Sequence, residues 1–260
     1  MAESWFTVEG DGLRSTGVAS TPHAPNSQHG AAVAALAARA IDATPSPVPM
    51  EIVRLTVDLT RRVPLGLVTV ETNVRRDGMR VQLVEAIISV DGEPRSRSEA
   101  LRIRSGQQLD PAELAFPDDV HRLDLASHLS DSPWPDSALM RGIECSFEWW
   151  QPGRGVYWIR VSDQLVAGEV MTPATRAAVA SDLVMTAGGM LPDHMTVNAD
   201  ISLSMNRPPI GEWIRIESQV RLNSGGWGST EGKLWDLHGR FGTATKSILV
   251  GDRHASGRTK

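Results

Sequence analysis

Asp182 is the residue with the most chemical leverage. It stands among small and apolar neighbours, Ala178, Val179, Ala180, Leu183 and Val184, in a stretch of helical composition. A carboxylate taken out of water is raised in pKa unless hydrogen bonds hold its charge, and a raised carboxylate is suited to general-base work near neutral pH. The bland alternative is an aspartate that is partly exposed or satisfied by neighbouring backbone. A second candidate is Gln28-His29-Gly30, which follows a loop rich in Ser, Thr, Pro and Asn and opens the run Ala31 to Ile41. A helix start presents unpaired N–H groups and a positive dipole end, and a glycine there lets a carbonyl oxygen approach them. His29 reads either as a structural residue of the first turn or as a direct participant.

Other chemistries lack their residues. No G-x-S-x-G elbow is present, which argues against a serine nucleophile on an α/β-hydrolase sheet. Cys145 is the single cysteine, so no intrachain disulfide, CxxC pair or Cys/His zinc framework is available. Gly10-Asp11-Gly12 and Gly225-Gly226-Trp227-Gly228 have no strand-to-helix context and read as turns rather than dinucleotide loops. No metal and no cofactor is expected. A formal net charge of −5 offers no basic surface for phosphates, which argues against a nucleic-acid partner. The opening MAESWFTVEG has acidic residues where an export signal needs basic ones, and no run approaches 18 apolar residues. A cytoplasmic protein with no membrane partner is expected.

The elements that must position these residues come twice. Ala31 to Ile41 predicts a helix of small cross-section, suited to burial against a curved sheet. After Pro45-Ser46-Pro47-Val48-Pro49 the period changes to two, with Leu55, Val57 and Leu59 alternating with Arg54, Thr56 and Asp58. Strands are predicted over 67–74, 79–90 and 96–103, separated by the hairpin signals Asp77-Gly78 and Asp91-Gly92. Ala174 to Met190 is again alanine-rich, with Gly188-Gly189 as its stop signal. Ile201, Leu203 and Met205 then alternate with polar residues as the earlier strand does. Further strands are predicted over 212–222, 229–237 and 243–250.

Arg207-Pro208-Pro209-Ile210-Gly211 matches Arg62-Val63-Pro64-Leu65-Gly66 at a constant offset of 145 residues. Helix, alternating strand and turn therefore recur in one order, the mark of an internal duplication. The offset sets Ala37 opposite Asp182, so only one copy keeps the carboxylate. The expected division is 1–106, a connector over 107–136, a second unit over 137–252, and a polar tail over 253–260. Trp149-Trp150, with Trp158 nearby, reads either as channel lining or as filler between the copies.

The set Gln28-His29-Gly30, Ala180-Ser181-Asp182, Asn206 to Trp213 and Asp236-Leu237-His238-Gly239 resembles the double-hotdog acyl-CoA thioesterases, specifically the thioesterase II type and its actinobacterial relatives. The resemblance implies an α+β tandem (double) hotdog, two helices each wrapped by an antiparallel sheet, with acyl-CoA bound between the two halves of the chain; a homo-oligomer is also expected. It also implies thioester hydrolysis by Asp-assisted water attack, and the open start of the first helix assigns Gly30 N–H to polarising the thioester oxygen, with His29 beside the substrate. The family pairs its aspartate with a Ser or Thr on the following strand and a Gln on the last strand. Those positions fall here on Asn198 and on Lys246, or on Ser247 if the turn is one residue longer. A lysine beside Asp182 would lower the carboxylate pKa and weaken it as a base. These substitutions keep open a second reading, an acyl-CoA-binding protein with little or no turnover. A hotdog hydratase fits poorly, because the next histidine after Asp182 is His194, beyond Pro192.

Overall fold

The computed structural model describes residues 3–22, 24–106, 121, 137–162, 164–184, 191 and 194–252. The expected connector over 107–136 lies outside the described residues apart from His121, and so do the tail over 253–260 and the Gly188-Gly189 stop signal.

The chain opens with β1 (Ser4–Glu9) and β2 (Gly12–Ser15), then a 3-10 turn over Gly17–Ala19 and the short pair β3 (Ser20–Thr21) and β4 (Ala24–Gln28). Helix α1 (Gly30–Asp42) follows, then β5 (Met50–Asp58), β6 (Leu67–Arg76), β7 (Val81–Val90) and β8 (Glu93–Arg104). Beyond residue 136 come α2 (Ala138–Arg141), β9 (Ile143–Gln151), β10 (Arg154–Val161), β11 (Gln164–Val166) and α3 (Pro173–Asp182). The chain then forms β12 (His194–Asn198), β13 (Asp200–Met205), β14 (Ile214–Leu222), β15 (Trp227–Asp236) and β16 (Gly239–Asp252).

Apart from the β3–β4 pair, the strands form one sheet of 14 strands, ordered β11-β1-β2-β6-β7-β8-β5-β13-β16-β15-β14-β10-β9, with β12 paired to β16. Its centre is the antiparallel seam between β5 and β13, where Leu55 faces Leu203 and Asp58 faces Asp200. Outward from that seam, β8-β7-β6-β2-β1 on one side corresponds to β16-β15-β14-β10-β9 on the other. The topology is thus the duplicated one, an α+β double hotdog. Strand β11 leaves the second half and pairs in parallel with β1, matching Ser4 to Gln164.

Helix α1 has no bulky polar face because it has no solvent face along most of its length: every residue from Ala31 to Ala38 is buried. Alanine lets the helix backbone approach both the concave sheet and α3, which packs directly on α1. The bounds of α1 agree with the sequence expectation to within a residue at each end. The second helix differs: α3 ends at Asp182, well short of the expected Met190, with Leu183 as its C-cap. Residues 183 and 184 leave the helix with their carbonyls taken by side chains from the sheet.

The Asp91-Gly92 hairpin forms as expected, with both residues at positive φ (49° and 83°), the geometry of a two-residue type I′ turn. Strands β6, β7 and β8 start or end a few residues from the expected limits, and β1, β2, β9 and β10 add outer strands to the two halves. Trp149 and Trp150 are substantially exposed on the edge strand β9, away from the β5–β13 seam, so they do not fill the junction between copies. Trp158 is buried and donates to Glu148.

Candidate functional site

The C-terminal end of α3 is held by the sheet. The last carbonyls of a helix have no intrahelical partner, and here three consecutive ones are met from outside. Lys246 Nζ donates to the main-chain oxygens of Asp182 at 2.6 Å and Val184 at 2.5 Å, and Tyr157 Oη donates to Leu183 O at 2.7 Å. Asp182 is therefore fixed at its backbone before its side chain makes any contact.

The carboxylate is 3% exposed and meets both halves of the chain. Asn198, the last residue of β12, donates its amide to Oδ1 at 2.8 Å. His29 Nδ1 lies 3.0 Å from Oδ2. Gly30 is so close that a Cβ built on it would stand 2.7 Å from Oδ1. Thus the structure brings Asp182, Asn198, His29 and Gly30 together, while Lys246 reaches the same place through the backbone. Ser247 does not join them. It is exposed on the opposite side of β16, and its N–H donates to Asp200.

The electrostatics reverse one expectation. Burial acts to raise the Asp182 pKa, but it is outweighed by the His29 contact, the charges of Lys246 and His29, and the Asn198 hydrogen bond, which together bring it down to about 2. The raised carboxylate expected from the apolar sequence context is absent because its neighbours in space, unlike those in sequence, are polar. Lys246 in turn is pulled below the ordinary lysine range by its own burial, with Asp182 opposing that shift. The expected charge pair takes an indirect form: the ammonium hydrogen-bonds to main-chain oxygens, including that of Asp182.

His29 is the N-cap of α1, with Nδ1 3.2 Å from Ala31 N as well as 3.0 Å from Asp182. One ring nitrogen cannot offer a lone pair to an N–H and a proton to a carboxylate at once. With Asp182 ionised, the proton belongs on Nδ1, and the helix cap is correspondingly weak.

A cavity of about 320 Å³ opens beside this cluster. Gly30 and Asn198 line it, together with apolar Val33, Leu59, Val63 and Met195 and the cationic Arg61 and Arg62. Asp182 does not line it, but two residues that touch the carboxylate do. Gly30 N–H donates to no described residue. Among the described residues no group of three or more His, Cys, Asp or Glu is placed to hold a metal ion, and no helix is long and apolar enough to cross a membrane.

Two polar features of the sequence serve the fold instead. Asp236 is fully buried and accepts from both terminal nitrogens of the Arg207 guanidinium, at 2.6 and 2.8 Å, and from the N–H groups of Ile210 and His238. The Asn206-to-Trp213 and Asp236-to-Gly239 segments are thereby tied to each other. In the first half Asp91 does similar work for the β6 start, accepting from Leu67 N–H at 3.1 Å.

The family model for the acyl-CoA thioesterase N-terminal domain matches residues 19–103, and that for the acyl-CoA thioesterase C-terminal domain matches residues 111–250. The chain belongs to the acyl-CoA thioesterase family. Thioester hydrolysis is the activity of that family. No curated protein matches the chain. Among solved structures, a protein assigned as thioesterase II from Thermobifida fusca is 15% identical, with 96% of this chain and 95% of that chain covered and a TM-score of 0.75. A hot dog fold protein of unknown function from Alicyclobacillus acidocaldarius is 15% identical over 94% of this chain and 95% of its own, with a TM-score of 0.71. The tesB protein of Mycobacterium avium subspecies paratuberculosis is 14% identical over 94% and 95%, with a TM-score of 0.70. At these identities the likeness is one of fold, and it spans both halves of the acyl-CoA thioesterase chain.

Proposed function

We propose that the protein hydrolyses an acyl-CoA thioester to the free acid and CoA at the cluster around Asp182. The observation that carries this reading is the meeting of a buried carboxylate with the open N-terminus of α1 beside a mostly apolar cavity. A thioester carbonyl placed against Gly30 would find an N–H that no described residue takes, available to the oxygen that becomes negative. Water held by Asn198 attacks the carbonyl carbon as Asp182 takes its proton. The C–S bond then breaks, and the proton goes to the departing thiolate. His29 holds the carboxylate and the helix start in register. Within this reading the chain divides at 106 and 137 into two hotdog units, and residues 137–252 carry the base.

A specific observation favours a second reading. A carboxylate held at a pKa of about 2 is a weak base, which fits an acyl-CoA-binding protein with little turnover. Thiol release from a panel of acyl-CoAs separates the two. Hydrolysis predicts release that is lost in Asp182→Asn; binding alone predicts saturable acyl-CoA binding with no release from any member of the panel.

A further inference from the structure

Lys246 is 2% exposed, and a buried ammonium is costly unless its donors and its charge are met. Both of its hydrogen bonds go to the end of α3, where the helix concentrates partial negative charge. Asp182 adds a full negative charge at that same end, the least favourable terminus for an anion. A neutral residue at position 246 would leave His29 to compensate the carboxylate without the lysine's charge, and an apolar one would also leave the carbonyls of Asp182 and Val184 without these donors.

We propose that Lys246 is a positioning residue, whose ammonium clamps the end of α3 so that the Asp182 carboxylate stays between His29 and Asn198 without itself touching substrate. The kinetic consequence rests on Asp182 being the base; the structural consequence does not. The charged groups acting on Asp182 are His29, from the β4–α1 joint, and Lys246, from β16. From the other elements, α1 presents Gly30 and β12 presents the neutral amide of Asn198. Asp182 is the charge acting on Lys246.

The test compares Lys246→Met and Lys246→Gln with the wild type, reading the carboxyl titration of Asp182 by carbon NMR and the hydrolysis of acyl-CoA across pH. Asp182→Asn assigns the signal. In Lys246→Met the titration should move to higher pH, which alone would make the carboxylate a stronger base, yet loss of its position should lower kcat on the order of 10-fold or more with KM nearly unchanged. Lys246→Gln should recover part of the kcat, because its amide can donate to the same carbonyls, while the titration stays shifted. If folded Lys246→Met titrates and turns over like wild type, the clamp is refuted. If it loses turnover with the Asp182 titration unmoved, Lys246 acts on substrate directly, and the proposal is again refuted. Should Lys246→Met fail to fold, Lys246→Gln supplies both readouts. Should wild type release no thiol, the hydrolase reading fails, and the titration alone still decides the clamp.

Discussion

His29 Nδ1 and Asp182 Oδ2 lie 3.0 Å apart although they come from different halves of the chain. The contact joins the start of α1 to the end of α3, and it sets the direction of the proton on the imidazole. Replacing His29 with Ala removes the hydrogen bond to the carboxylate and what remains of a weak helix cap. The Asp182 titration should then rise, and stability should fall by roughly 1–2 kcal/mol. Denaturant unfolding and carboxyl NMR measure the two effects separately.

Asp182→Asn keeps the size of the side chain and can still accept from Asn198, but it cannot take a proton from water. Turnover should drop by about 10² to 10⁴, with acyl-CoA binding preserved. Wild-type thiol release from this variant would remove Asp182 from the mechanism.

Gly30 is a tighter position than the sequence suggests. From the sequence, the glycine serves only to let a carbonyl oxygen approach the helix start. In the structure even an added Cβ stands 2.7 Å from Asp182 Oδ1, so Gly30→Ala already pushes on the carboxylate. Its expected signature is a loss of turnover on the order of 10²-fold together with a shifted Asp182 titration. Unchanged values of both would mean that the neighbouring backbone absorbs the extra atom.

The acid limb of stability follows from the lowered pKa of Asp182. Its folded value of about 2 lies below the unfolded value, so its stabilisation is fully present above the unfolded pKa of ~3.9 and lost as pH falls through 2. The contribution is on the order of 2 kcal/mol. Urea midpoints taken from pH 5 down to pH 2 should fall less steeply in Asp182→Asn than in the wild type.

Asp236 offers a control outside the cluster. Asp236→Ala leaves the Arg207 guanidinium with only the main-chain oxygens of Pro208 and Gly239 among the described acceptors and takes the acceptor from the N–H groups of Ile210 and His238. A loss of about 2–4 kcal/mol is expected, read by chemical denaturation. Turnover per folded molecule should change little.

What the sequence reveals and what it hides divide along range. Helix α1, the Asp91-Gly92 turn and the alternation in β5 and β13 depend on local composition, and each is legible as a pattern of residues. Asp182 stands out because it interrupts an apolar run. Its state does not, since Asn198 and Lys246 from the sheet and His29 from the start of α1 reach it only in the folded chain. The choice between Lys246 and Ser247 turns on a single residue of register, which reverses the face of a strand. The end of α3 is hidden for the same reason: Lys246 and Tyr157 take its final carbonyls from distant strands.

The β5–β13 seam gives the two copies licence to specialise. The offset of 145 residues sets Thr175 against Gly30 and Ala37 against Asp182. On the proposed mechanism one half supplies an open helix start with a glycine, the other a carboxylate, and neither repeats its partner's contribution. Identical subunits could not divide the work in this way, because each would have to carry both parts. Covalent fusion removes that obligation, and the mirror position, with alanine where the acid would stand, is free to become ordinary core.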